Sequence, residues 1–556
     1  MSAGKRSRGR PGKRSGVAPT AEPGAGPAAD PAADPAAERL RLEVFHHLFS
    51  AAAEEMGEAL MRSAFSSNVK ERRDFSCALF DAEGRMIAQA AHLPIHLGST
   101  PLSGAAGIAA CPMEAGDAVA LNDPYAGGTH LPDVTLVTPV FLDGPSPEFY
   151  VANRAHHADI GGATPGSMAP AADVHGEGLR IPPVRLVRGG RFESDLLRLF
   201  PANVRVADER EGDLRAQWAA NRVGARRLAE IARTGAPGEA KRQAARLMDW
   251  TEESLRAALA ELPRRRVTAE EALELEGGGS AWLRLDLDVS RDGLSFDFTR
   301  TDPQVAESVN TTRAVTVSAV FYVLRLLCGD EVPTNDGLLR PARIATHPGT
   351  LLDACYPAAV AAGNVETSQR AVDLLLSAFS QLLPDRIPAQ SAGTMTNLTL
   401  GSASGAPSAF SYYETVAGGA GAGPAGDGEH AVQTHMTNTR NSPVEALENE
   451  LPLRVLSLTV RRGSGGRGGA RGGDGLTKRL RILAPARVAW IAERQRSGPR
   501  GLFGGGDGAP GRFATRLPGE QRDQPRPGKA GIDLPAGSEL LIETPGGGGF
   551  STPREG

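Results

Sequence analysis

Asp133 to Phe141 and Phe149 to Asn153 read as two strands joined by the turn Asp143-Gly144-Pro145-Ser146-Pro147. Each outer end of that hairpin carries a cluster of His and Asp. The first is Asn122-Asp123-Pro124-Tyr125-Ala126-Gly127-Gly128-Thr129-His130-Leu131-Pro132-Asp133, and the second is Arg154-Ala155-His156-His157-Ala158-Asp159. Antiparallel pairing brings the start of one strand beside the end of the other. Folding about Pro145 sets Asp133 opposite His157, with His130, His156 and Asp159 near them. Imidazoles and carboxylates gathered at one sheet end suit a divalent cation. Mixed His/carboxylate ligation fits Zn, Mn or Fe without choosing among them. Six of the eleven histidines lie between His92 and His175, so the chemistry is concentrated in this stretch.

A chain of 556 residues can bury a large core spread over more than one lobe. The segments below predict an α+β (mixed α/β) protein, multi-lobed, with antiparallel-rich sheets, packed helices and a metal site at a sheet end. Residues 1–37 are basic, then Ala/Pro-rich, and are expected to be a disordered tail. The folded region is expected over 38–550, as a metal-site lobe (38–200), a helical and sheet lobe (201–460) and C-terminal strands with Gly/Arg-rich loops (461–550). A net charge of −4 argues against nucleic acid or an anionic membrane as partner. No apolar run approaches the roughly 18 residues of a membrane span. Cys77, Cys111, Cys328 and Cys355 form no C-x-x-C pair, as expected for reduced thiols in a cytoplasmic protein. Cys77 lies mid-strand and reads as buried, not nucleophilic.

Leu40, Val44, Leu48, Ala52, Met56, Ala59 and Ser63 follow helical spacing, widened by Phe45, Phe49 and Leu60. His46 and His47 in that helix read as surface or packing residues. Phe75 to Phe80 and Arg85 to Ala90 form a strand pair around a turn. Asp173 to Val187 is irregular. Val206 to Ala232 and Lys241 to Leu262 read as helices, Ala281 to Val289 and Leu294 to Thr299 as strands, and Thr312 to Cys328 as a helix. Ser442-Pro443-Val444-Glu445 is a capping pattern that starts a short helix. Arg461 to Gly475 and Ser497 to Lys529, dense in Gly, Arg and Pro, read as mobile surface loops.

Several groups have two readings. His92-Leu93-Pro94-Ile95-His96 is an extended loop in which both rings face a cleft as substrate or outer-shell groups, or simply pack. Asp74 is either a distant carboxylate ligand or part of the charge cluster Arg72-Arg73-Asp74. Asp123 and Asp159 are candidates for general base, although Asp123 also suits plain turn stabilisation. Asn364, Glu366, Thr367, Ser368, Gln369 and Arg370 open a helix. Glu366, Gln369 and Arg370 are the candidates there for substrate orientation, against simple capping. His435 to Ser442 forms a second polar wall. Gly421 to Gly426 matches G-x-G-x-x-G literally, but Pro424 prevents a helix from opening, and neither a P-loop nor a G-x-S-x-G elbow occurs.

Taken in order, these blocks resemble the hydantoinase B/oxoprolinase family. The matching stretches are Arg73 to Ala78, His92 to Gly98, Asn122 to Tyr125 through Asp133, Arg154 to Gly162, Gly363 to Arg370, His435 to Ser442 and Pro545 to Phe550. The resemblance implies a metal-containing subunit working with a separate hydantoinase A-like subunit that uses ATP, in a hetero-oligomer. Asp74, His130, Asp133 and His156 or His157 are then the implied ligands. The implied activity is hydrolysis of a cyclic amide such as a hydantoin or 5-oxoproline. Alternatives are a subunit of an ATP-dependent ketone carboxylase of the acetone or acetophenone type, and a non-catalytic scaffold subunit.

Overall fold

The hairpin forms, and a sheet grows on both sides of it. The computed structural model describes residues 35–90, 93–168, 170–403 and 405–552. The predicted tail thus lies almost wholly outside the described residues. The chain divides into two units, Met1–Arg41 and Leu42–Gly556. Helix α1 (Pro35–Ser63) runs across the division. Beyond Leu42 it buries Phe45, Phe49, Ala52, Ala53, Met56 and Leu60, while Val44 is 47% exposed. The apolar stripe is therefore rotated from the one expected. A single turn, α2 (Ser67–Lys70), follows, capped by the Ser66 hydroxyl.

The central sheet has seven strands, all antiparallel: β1 (Phe75–Asp81), β2 (Met86–Gln89), β3 (Ala118–Leu121), β4 (Asp133–Val140), β5 (Phe149–His156), β6 (Val184–Arg188) and β7 (Arg191–Phe192), in the order β2-β1-β5-β4-β3-β6-β7. β4 and β5 are buried along their whole length. Helices cover both faces, and a strand packed on both sides loses the alternation of a half-exposed one. Helix α3 (His96–Ala110) covers one face. Its Gly107 leaves room for Val137 and Leu121, and the Arg154 guanidinium ties it down. Arg154 Nη1 donates to Ser99 Oγ at 2.6 Å, Nη2 to Ser103 Oγ at 2.6 Å, and Nε to Thr135 Oγ1 at 2.9 Å. The short helix α4 (Ser194–Leu199) precedes α5 (Ala207–Ala232), which covers the other face. There Gln217 Nε2 donates to Val134 O at 2.8 Å and Asn221 Nδ2 to Leu136 O at 3.0 Å. Residues 133, 135 and 137 thus share a face with 154 and 156, and 157 belongs to the α5 side.

α3 corrects the extended loop expected around His96. Its small residues disguise it in the sequence, yet they let it approach helix α7: a Cβ on Gly98 would sit 2.7 Å from Ser318 N. α6 (Glu239–Ala260) and α7 (Arg313–Leu327) fall where their patterns place them. A second sheet, in the order β11-β10-β9-β8, comprises β8 (Arg266–Glu274), β9 (Ser280–Val289), β10 (Leu294–Asp297) and β11 (Ala342–Ala345). β8 escaped the sequence reading because a buried Glu271 interrupts its Val267, Ala269, Leu273 alternation. Helix α8 (Ser368–Ser380) packs on it, entered through a π-helical turn at Gly363–Thr367.

The remaining chain forms two sheets: β13-β12-β16-β19 and β14-β15-β20-β17-β18. Their strands are β12 (Asn397–Ser402), β13 (Ser411–Thr415), β14 (Leu453–Arg461), β15 (Gly475–Ile482), β16 (Ala486–Ile491), β17 (Arg512–Arg516), β18 (Gln524–Arg526), β19 (Lys529–Leu534) and β20 (Glu539–Glu543). Helix α9 (Val444–Glu450) starts one residue later than the Ser442 pattern implied, with Pro443 in the cap. No helix among the described residues is long and apolar enough to cross a membrane.

The Gly/Arg-rich stretches are not mobile loops. Segments near residues 389–392, 418–428, 464–473, 498–508 and 545–550, neither helix nor strand, lie side by side and exchange backbone hydrogen bonds. Gly547 N donates to Gly473 O at 2.9 Å, Gly473 N to Ala420 O at 2.8 Å, Ala422 N to Gly548 O at 2.9 Å and Gly548 N to Gln390 O at 2.8 Å. The literal G-x-G-x-x-G at 421–426 is part of this bundle. Close approach is what requires glycine here: a Cβ on Gly547 would meet Ala420 O at 1.9 Å, and one on Gly473 would meet Glu429 O at 1.9 Å.

Candidate metal centre

At the end of the β4–β5 ladder Asp133 pairs with His156, not with His157. The strands are joined by residues 141–148, whose centre falls between Gly144 and Pro145. Half a residue in the centre is one residue in register, and one residue turns a side chain to the opposite face. His156 therefore joins Asp133 on the α3 side. The Thr129–Asp133 turn folds His130 onto the same spot, where Asp133 N donates to His130 O at 3.2 Å. Among the described residues, one group of His, Cys, Asp and Glu has donor atoms all within 4.8 Å of one another: His130, Asp133 and His156.

All three are buried. Asp133 Oδ2 accepts from Thr129 Oγ1 at 2.5 Å and from Asn364 Nδ2 at 3.4 Å, the latter carried in by the π-helical turn. His130 Nε2 and His96 Nε2 lie 3.3 and 3.5 Å from the same oxygen. His96 is steadied by Ser76 Oγ, 2.8 Å from its Nδ1. The His156 ring stacks on Tyr413 at 4.5 Å and 10°, and Asn68 Nδ2 lies 3.0 Å from its Nδ1. His130 and His156 meet edge to face at 5.0 Å.

Three atoms at this spot are left without hydrogen bonds: His130 Nε2, His156 Nε2 and Asp133 Oδ1. A buried polar atom without a partner costs about 1–3 kcal/mol, and native interiors rarely tolerate three together. Two imidazoles and a carboxylate fit a divalent cation of the Zn, Mn or Fe class, and the outer contacts from Thr129 and Asn364 fix the carboxylate as such sites require. Ligation through His156 Nε2 places the ring proton on Nδ1, which needs an acceptor facing it. The Asn68 amide, whose nitrogen now faces Nδ1, supplies one by turning over.

Charge matches this reading. Burial works to raise the Asp133 carboxyl, but the His130 and His96 imidazoles overcome it and hold the group well below the usual carboxylate range. Burial, reinforced by His130, drives His156 well below the ordinary imidazole range, so the ring is neutral and its lone pair free. Asp74 stands outside the three-residue group. Burial pushes its carboxyl up to about 7, against the pull of the Arg72 guanidinium and with added repulsion from Asp133. Its backbone oxygen accepts from His156 N at 3.0 Å.

The structure sends the other candidates elsewhere, and these are corrections. His157, on the α5 side, sets Nε2 3.0 Å from Gln217 Oε1 and its ring edge to face against Phe200 at 5.8 Å. Asp123 caps the turn Pro124–Ala126 by accepting from Tyr125 N at 3.0 Å. Asp159 is saturated by Gly161 N at 2.8 Å, Gly166 N at 2.9 Å and Arg205 N at 3.0 Å, so it has no free oxygen for a base. Glu366 accepts from Asn397 Nδ2 at 2.7 Å and Glu493 N at 2.8 Å. Arg370 binds Glu271 and, at 2.7 Å, Asp373. Both side chains are internal braces. Gln369 donates to Thr434 O at 2.9 Å and keeps Oε1 unpartnered. His92 lies outside the described residues. Asn68 and Tyr413, which fix His156, carry no signal in the sequence. The buried Cys77 thiol is pushed up by burial, as suits an inert core residue.

The hydantoinase B/oxoprolinase family model matches residues 38–553. This chain belongs to the hydantoinase B/oxoprolinase family. In that family, 5-oxoprolinase 1 of Arabidopsis thaliana is 38% identical over 92% of this chain and 42% of the relative. A D-/L-hydantoinase component of Pseudomonas sp. strain NS671, named as the B-type member of its complex, is 34% identical over 78% and 76% of the two chains. The crystal structure of the ATP-dependent caprolactamase from Pseudomonas jessenii superposes with a TM-score of 0.86 at 26% identity, over 92% of this chain and 91% of that one. The chain spans about two fifths of the length of the curated 5-oxoprolinase it matches. The resemblance read from the motifs stands, and so does the mixed α/β, antiparallel-rich fold.

Two outcomes follow for this hydantoinase B-family chain. Thr129→Val removes the hydroxyl that fixes Asp133 Oδ2 while keeping the volume. Divalent metal affinity, measured by competition with a fluorescent chelator, is expected to fall about 10–100-fold. His435, whose backbone is left-handed at φ 57, is pushed down to about 4 by burial. An unfolded histidine binds its proton below about 6.5, whereas the folded His435 resists until about 4. Stability is therefore full above 6.5 and declines as the pH falls between those values. Urea midpoints of His435→Gln at pH 7, 6 and 5 are expected to fall less than those of the unaltered chain.

Proposed function

We propose that this chain is the metal-holding subunit of an ATP-dependent cyclic-amide hydrolase and acts with a separate hydantoinase A-like, ATP-using subunit in a hetero-oligomer. The observation that carries the reading is the convergence of His130 Nε2, His156 Nε2 and Asp133 Oδ1, buried and without hydrogen-bond partners. The names of the relatives supply the substrate class: a 5-oxoprolinase, a hydantoinase component and a caprolactamase all act on ring amides.

An amide carbonyl is a poor electrophile, and phosphorylation of its oxygen by the partner makes that oxygen a leaving group. A divalent cation at the His130–Asp133–His156 site supplies Lewis-acid chemistry and acidifies water. The chain's own residues prepare this. Asp133 provides the negative charge, His96 and Thr129 hold that carboxylate in place, and Tyr413 keeps His156 from swinging away. The α3 and α5 layers close the site against bulk solvent.

The test is reconstitution of the full chain with its hydantoinase A-like partner, ATP and Mn, Zn or Fe, followed by chromatography of ring-opened product from 5-oxoproline, hydantoin and caprolactam. Metal- and ATP-dependent ring opening, with no turnover by this chain alone, is the expected result. Bicarbonate-dependent consumption of acetone or acetophenone without ring opening would favour the carboxylase alternative. A complex without stoichiometric metal, unaffected when His130 and Asp133 are both replaced by Ala, would leave only the scaffold reading.

A further inference from the structure

Away from the metal centre, a cavity of about 180 Å³ opens between α8 and the edge of the glycine bundle. Asp373 and Ser377 of α8 line one side, Gln390 and Arg500 the other, and Leu376 and Leu502 the apolar walls. The polar wall belongs to a buried ionic network. Asp373 Oδ2 accepts from Arg370 Nη1 at 2.7 Å and Arg494 Nη2 at 3.0 Å. Glu271 Oε2 accepts from Gln390 Nε2 at 2.7 Å and Arg500 Nη2 at 2.5 Å, and Glu271 also binds Arg370. Gln390 is fully used, since its Oε1 accepts from Arg494 Nη2 at 2.6 Å and Arg500 N at 2.9 Å.

Two requirements of this network are left open. The side chain of Asp373 is 1% exposed, yet its Oδ1 has no partner. A buried carboxylate oxygen facing a cavity calls for a donor, and the strongest is an ammonium group. Across the cavity, three guanidinium groups (Arg370, Arg494 and Arg500) meet two carboxylates (Glu271 and Asp373). One positive charge is therefore uncompensated in this set of contacts. Arg500, with a side chain 51% exposed, carries it at the mouth. A ligand that answers both has a cationic end for the floor and an anionic end for the rim.

We propose that this cavity is a binding site for a small zwitterion, an amino acid whose ammonium group meets Asp373 Oδ1 and whose carboxylate meets Arg500. The apolar walls accept the methylenes between the two ends. The assignment stands on the cavity alone and does not rest on the reaction proposed above. Should that reaction be correct, its ring-opened products are of this chemical class, and the site would sense them.

The test is calorimetric titration of the full chain, treated with chelator, with L-glutamate and 6-aminohexanoate. Glutarate, which lacks the amine, and n-butylamine, which lacks the carboxylate, serve as counter-ligands. At least one amino acid is expected to bind, with both counter-ligands weaker by about tenfold or more. Arg500→Gln is expected to weaken binding about fivefold, as suits a half-exposed ion pair. Ser377→Met, which fills the cavity without touching the ionic network, is expected to abolish it. Asp133→Asn should bind as the unaltered chain does, which separates this cavity from the metal centre. Absence of amino-acid binding, equal binding of glutarate, or binding unchanged in both Arg500→Gln and Ser377→Met would overturn the proposal.

Discussion

Asp133→Asn is expected to leave the protein without stoichiometric divalent metal and to lower turnover of the reconstituted complex on the order of a thousandfold or more. Asp133 is the one acid among the three converging donors, and its ionised form is what the neighbouring imidazoles of His96 and His130 sustain. A carboxamide keeps the shape but removes the charge, so a cation faces only neutral groups. Lewis-acid stabilisation is worth several kcal/mol, and each 1.4 kcal/mol or so is a decade in rate. Elemental analysis of the purified variant and kcat of the complex measure the two effects. Asp123→Asn, in the capping turn, is the matched control and should lose neither. An Asp133→Asn protein that keeps its metal and its rate would end the metal reading.

Gly547→Ala should be the most damaging single methyl addition in the chain. The added Cβ would meet Ala420 O at 1.9 Å and the Ala420 carbonyl carbon at 2.3 Å. Neither is the tip of a flexible side chain; both are backbone atoms whose neighbours hydrogen-bond into the bundle. Relief requires parting the segments and breaking bonds such as Gly547 N to Gly473 O. Overpacking ordinarily costs about 1–3 kcal/mol, and rigid backbone on one side puts this site at or above the upper end. Gly277→Ala, whose Cβ would meet nothing within 4 Å, should stay within about 0.5 kcal/mol. Thermal denaturation of the pair separates the two. Equal midpoints would mean that the segments are loosely held after all.

What the sequence made legible, and what it hid, follows from the range of each interaction. The hairpin could be read because turn residues and strand periodicity act locally, and because a two-strand ladder forces its ends together. Which histidine joins Asp133 was beyond that reading, since it depends on whether the loop centre lies on Pro145 or just before it. Asp123 and Asp159 looked like catalytic acids only in isolation; backbone N–H groups close in sequence claim them both. The family motif at Glu366 and Arg370 was recognised correctly, yet its charges are spent on partners about a hundred residues away or more, Glu493 and Glu271. Glycine-rich composition was misread for the same reason. Without knowledge of five segments lying side by side, a lack of side chains looks like freedom, whereas it is the condition for close contact.

The bundle also constrains how the molecule must assemble. Its bonds join residues as distant as Gln390 and Gly548, so none forms until a long loop has closed, and loop closure of this kind is slow. The central sheet and its helices draw largely on neighbouring stretches and are able to condense while synthesis continues. The ribbon at 545–550 therefore acts as a late clasp. Until it arrives, the amides and carbonyls of residues 420–422 and 472–473 wait without their final partners, and this is the interval in which the nascent chain is most exposed to misassociation.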